Sequence, residues 1–78
     1  MTSQEMFEKQ GYNVFEATQV NGKPTKIRYS KANSDTFSIA FYVRERNIVT
    51  GRNNMIDAEL LKAIAKQAKE LGWLSNDE

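Results

Sequence analysis

Apolar and polar residues alternate with a period of two through the middle of this chain and with a helical period at its two ends. The clearest alternation is TFSIAFYVRE. There Phe37, Ile39, Phe41 and Val43 point one way, and Ser38, Ala40, Tyr42 and Arg44 the other, as in a strand with one buried face. This is the expected central strand. Upstream, VFEATQVNGKPTKIRY reads as a hairpin around Asn21-Gly22, and its register decides which side chains are exposed, because a one-residue slip turns a whole strand over. A two-residue turn pairs Val20 with Lys23 and brings Phe15 beside Arg28. A three-residue loop with a glycine bulge at Gly22 pairs Gln19 with Lys23, Phe15 with Ile27 and Glu16 with Lys26. The bulged form is favoured, since it buries Phe15, Ala17 and Ile27 together and pairs opposite charges outside. Pro24 cannot donate to a ladder and should sit where the next strand has ended. Arg46-Asn47 is expected to turn the chain into a short fourth strand, NIVT, before Gly51-Arg52-Asn53-Asn54 loops onward.

The two ends carry matching helix punctuation. Thr2 and Glu5 form a capping box flanked by the staple pair Met1 and Met6, so a short helix should run from Ser3 to Gln10. Gly11 should close it in the left-handed conformation, with Tyr12 folding back on Phe7. Asp57 is the expected N-cap of the second helix, with Ile56 and Leu61 as its staple and Gly72-Trp73 as its close. Leu61, Ile64, Ala68 and Leu71 recur at helical spacing and define the stripe that faces the core, leaving Lys62, Lys66 and Lys69 in water. The expected fold class is therefore α+β, a small antiparallel sheet of three to four strands with a short N-terminal and a longer C-terminal helix on one face (αββββα). No linker or internal repeat divides it, so residues 1–78 should form one domain with 75–78 as a frayed tail.

Composition narrows the chemistry. At 40% hydrophobic and 27% charged residues the chain belongs with folded domains. It has no cysteine and no histidine, which removes disulfides, thiolate sites, zinc centres of the usual kind and the commonest general base. No metal and no cofactor are expected. "TGRNN" lacks the Lys-Ser/Thr of a phosphate loop, and Asp57 and Glu59 sit at a helix start, which favours their ionised forms and makes them poor proton donors. The expected protein is not an enzyme. No apolar run approaches the roughly 20 residues that span a bilayer. The polar, acidic N-terminus is unlike a signal peptide. The expected location is the cytoplasm.

Charge is nearly balanced at +1 overall but unevenly placed, with −2 over residues 1–19, +5 over 20–53 and −2 over 54–78. On the expected open face Lys26, Arg28, Tyr42 and Arg44 converge, flanked by Arg46 and Arg52 from loops. A charged outer sheet face is by default a solvated one, yet these six residues are the candidate binding site.

EMFEKQGY (5–12) and LKAIAKQAKELGW (61–73) resemble the ends of a group of small uncharacterised proteins encoded by phages and prophages of Gram-positive bacteria. The matching residues, among them Phe7, Gly11, Tyr12, Ile64, Gly72 and Trp73, are cap and core positions. The resemblance implies this fold and a phage setting in a bacterial host cell, and carries over no catalytic or ligand residue. In that setting the expected function is a non-enzymatic accessory protein that binds a host or phage protein partner, such as a host-defence inhibitor of the anti-CRISPR kind. Arg and Tyr suit a protein interface. The alternative is a small nucleic-acid-binding domain that uses the basic open face. The helix–sheet–helix order is similar in outline to a double-stranded-RNA-binding domain, but Asp57 and Glu59 stand where that family presents lysines. A homodimer formed through a sheet edge or the open face is a further expectation for so small a sheet.

Overall fold

A computed structural model describes residues 1–32, 34–52 and 55–74, with Ser34 and Asp35 described in backbone alone. The elements are α1 (Ser3–Lys9), β1 (Tyr12–Val20), β2 (Lys23–Lys31), β3 (Ser34–Tyr42), β4 (Asn47–Thr50) and α2 (Ala58–Glu70). The strands form one antiparallel meander in the order β1-β2-β3-β4. Both helices lie on the Ile39/Phe41 face, which makes this the αββββα, α+β fold that the hydrophobic pattern predicts. The tail 75–78 and the Asn53-Asn54 part of the loop fall outside the described residues.

A seven-residue helix cannot persist alone, and α1 is held from three sides. Thr2 accepts from the Glu5 amide while the Glu5 carboxylate accepts from the Thr2 amide at 2.8 Å. The Thr2 amide and the Thr2 hydroxyl, 3.1 Å from Glu5 Oε1, both donate to the Glu5 carboxylate and hold its pKa below its ordinary value. Phe7, fully buried, stacks on Tyr29 with ring centroids 4.0 Å apart and meets Tyr12 and Phe41 edge-on. The helix ends at Lys9, one residue earlier than the sequence suggests. Gln10 is its C-cap, and Gly11 (φ +89°) reverses the chain where a Cβ would stand 3.1 Å from Lys31 Cε.

The third tie is polar and joins the two helices. The Ser3 amide donates to Glu70 at 2.9 Å, and the Ser3 hydroxyl is shared between Glu70 Oε1 at 2.5 Å and Gln67 Oε1 at 2.9 Å. The Tyr29 hydroxyl donates to the same Gln67 oxygen at 2.6 Å. Burial raises the Tyr29 pKa above its ordinary 10.0, so this hydroxyl stays a donor.

This network explains a correction on α2. Leu60, Ala63, Ile64, Gln67 and Ala68 face the core, so the stripe is centred one residue before the position assigned from Leu61, which is 58% exposed. Gln67 occupies an inward position because Ser3 and Tyr29 satisfy it, and its polarity disguised the centre of the stripe. Ile56, the proposed staple partner, is exposed as well. The close of α2 is as expected. Gly72 (φ +79°) donates to Lys69 O and Trp73 N donates to Ala68 O, a Schellman motif that lays Trp73 against Phe41.

The first hairpin corrects the favoured register. Asn21 (φ 54°) and Gly22 (φ 78°) make a two-residue turn with Val20 opposite Lys23, because Asn-Gly accommodates the two left-handed positions that such a turn requires. Two irregularities follow. Thr25, next to Pro24, is an extra residue on β2 with no register partner on β1, although its hydroxyl lies 2.9 Å from that of Thr18, and Phe15 is the extra residue of a bulge on β1, between Val14 opposite Tyr29 and Glu16 opposite Arg28. Ala17 shares the helix side with Ile27 as expected, but lies directly opposite it, the place the favoured register gave to Phe15, and Phe15 does not join them. Pro24 lies beyond the β2–β3 ladder, whose last rungs are Lys26 with Tyr42 and Val43 N with Thr25 O.

Candidate docking face of the sheet

The face of the sheet turned away from the helices is built from alternate residues of four strands. In β2 and β3, Ile27, Tyr29, Ile39 and Phe41 enter the core, which sends Lys26, Arg28, Ser38, Ala40 and Tyr42 to the other side. Register places Val49 beside Ala40 and Asn47 beside Tyr42. The bulge adds Phe15 from β1, whose ring receives the Arg28 guanidinium at 5.2 Å. The Lys26 ammonium lies 5.3 Å from the Tyr42 ring centre and 2.9 Å from Glu16 Oε1. Hydrogen bonding to Glu16 raises the Lys26 pKa above its ordinary 10.5. Two cation–aromatic pairs therefore stand side by side, and the Glu16 carboxylate neutralises the lysine of one of them.

The middle of this face is low. Ser30, Ser38 and Ala40 are small and buried between taller neighbours, while Phe15 (50% exposed) and Val49 (53%) project at either side. An exposed ring and an exposed valine flanking a floor of small residues give a surface with relief, which a complementary protein surface can fill.

Of the six residues assigned from sequence, the structure gathers Lys26, Arg28 and Tyr42. Arg44 is not on the face. Strand β3 stops at Tyr42, and Arg44 belongs to the four-residue turn Val43–Arg46, where it borders a groove with Val43, Glu70 and Leu71 near the C-terminal end of α2. The alternation of β3 was extended two residues too far, and Arg46 (φ 58°) takes the left-handed position of that turn. Arg46 stays at the Tyr42 end of the sheet, whereas Arg52 follows Thr50 at the opposite end of β4. Phe15 and Val49 were missed. The two-residue reading of Asn21-Gly22 was the signal that would have placed Phe15 beside Arg28.

Among the described residues no group of three or more carboxylates could hold a metal ion, and no helix is long and apolar enough to cross a membrane. No protein-family model, curated protein or solved structure matches the chain significantly.

Proposed function

We propose that this is a non-catalytic accessory protein, encoded by a phage or prophage, that acts in the bacterial cytoplasm by docking a protein partner on the open face of its sheet. A component of a host defence system is the kind of target that suits it. The single observation that supports a protein partner is the composition of the face. Phe15 stands half exposed against Arg28, Val49 projects opposite, and Glu16 already neutralises Lys26. Interface anchors are typically aromatic and arginine side chains set among near-neutral contacts. A phosphate grip needs several cations gathered on one surface, and Arg44 and Arg52 lie elsewhere.

Affinity capture from infected host lysate, with and without nuclease, tests the reading. Phe15→Ala combined with Arg28→Glu should abolish recovery of a nuclease-resistant partner while circular dichroism stays native, and Arg44→Glu should leave recovery intact. A partner retained by the double variant would overturn it.

The paired rings and cations favour a second reading, a platform for single-stranded nucleic acid with bases on Phe15 and Tyr42 and phosphates on Lys26 and Arg28. Its mark is binding to oligonucleotides of many sequences that weakens steeply with salt.

A further inference from the structure

The two edges of the sheet differ in how they are protected. Strand β4 spans four residues and is bracketed in sequence by Arg46 and Arg52, so it is short and flanked by positive charge. Strand β1 spans nine residues, contains no proline and no lysine, and pairs among the described residues with β2 alone. Short length, lysine and proline are the usual means of blunting an edge, and β1 has none of them. Its bulge at Phe15 does interrupt the edge, but the second irregularity has its extra residue on β2. The outer side of Glu16–Val20 is therefore continuous.

Exposed apolar residues along β1 lie on both sides of the sheet. Phe15 stands beside Arg28 on the open face, and Val14 lines the helix-side groove with Ile27 and Tyr29. A partner laid on one face would cover one of them. Sideways extension of the sheet sets the Asn21-Gly22 turn of the added strand beside both.

We infer that β1 is a self-association edge, at which a second copy of this chain adds its own β1 antiparallel about a two-fold axis through Thr18. That register sets Thr18 opposite Thr18, Ala17 opposite Gln19 and Glu16 opposite Val20. Paired threonines are favourable cross-strand neighbours, the two Glu16 carboxylates are kept apart, and Val20, now exposed, gains the aliphatic stem of Glu16. The axis is perpendicular to the sheet, so both copies keep their helices on one side. The product is an eight-stranded sheet whose open faces are continuous, with a Phe15–Arg28 pair on each side of the seam. The inference does not depend on the docking function, although a dimer would present that surface twice.

Because the chain has no cysteine, Thr18→Cys tests the axis directly. Directly opposed Cα atoms in an antiparallel pair are about 4.5–5.5 Å apart, within disulfide range. Under mild oxidation Thr18→Cys should convert to a covalent dimer, whereas Val49→Cys on the far edge should not. Light scattering of the wild type should approach twice the 8.9 kDa chain mass as concentration rises. Thr18→Lys, which opposes two ammonium groups at the axis, should stay at the chain mass with unchanged circular dichroism. A wild type that remains at the chain mass at millimolar concentration, a Thr18→Lys variant that still dimerises, or preferential cross-linking through Val49→Cys would overturn the inference.

Discussion

At the scale of single residues, Phe7 concentrates more of the fold than any other side chain, since its ring touches Tyr12, Tyr29 and Phe41 and is fully buried. Phe7→Ala should cost about 3–5 kcal/mol in urea melts, the range for truncating a buried aromatic. Thr2→Ala should cost about 1 kcal/mol by removing one half of the capping box. The other half is pH-dependent, and its sign follows from the lowered Glu5 pKa. Its contribution is complete above the ordinary value of 4.5 and disappears as pH falls through the lower folded value. Wild type and Glu5→Gln should therefore differ in urea midpoint at pH 7 and converge in acid, once the pH has fallen below the lowered folded value. The cap residues were legible because each depends on neighbours within a few positions. Gln67 was not, since the hydroxyls that permit its burial come from Ser3 and Tyr29, 64 and 38 residues away.

At the scale of elements, every helix and strand that the periodicities outlined is present, because alternation and helical spacing record which side of an element meets the core. What escaped was the length of the alternation and the accommodation between strands. Nothing in FYVRE marks the end of β3 at Tyr42. That end is set by Arg46 turning left-handed so that Asn47 can pair back, and it removes Arg44 from the candidate site. In the first hairpin the turn chemistry of Asn-Gly prevailed over the burial of Phe15, and a bulge absorbed the mismatch. Gly22 carries that turn, yet a Cβ there would meet nothing within 4 Å. Gly22→Ala should therefore cost only the left-handed backbone strain, about 1–2 kcal/mol by thermal melt, with the register unchanged in cross-strand nuclear Overhauser contacts. Gln67→Leu should cost about 1–3 kcal/mol, because it leaves the buried Tyr29 hydroxyl without its acceptor.

At the scale of the whole molecule, 78 residues support a total stability of roughly 4–12 kcal/mol at ordinary values per residue, so Phe7→Ala alone removes a large share of it. Guanidinium unfolding of the wild type should be a single cooperative transition, as α1 packs on the same core that joins α2 to the sheet. The candidate site was half legible at this scale. One face open to water follows from two helices and one sheet, but which cations share that face depends on where strands stop and bulge. The bond between Ser3 and Glu70 holds the start of the first helix against the end of the last, on the side opposite Phe15 and Val49. Residues 3 and 70 are consequently near enough for a short peptide bridge. A circular permutant that links the two ends through a flexible segment, keeps the Thr2 cap and Trp73, and is reopened in the Val43–Arg46 turn should keep the native spectrum. The exposed strands on the far side are thereby left clear of both helix ends.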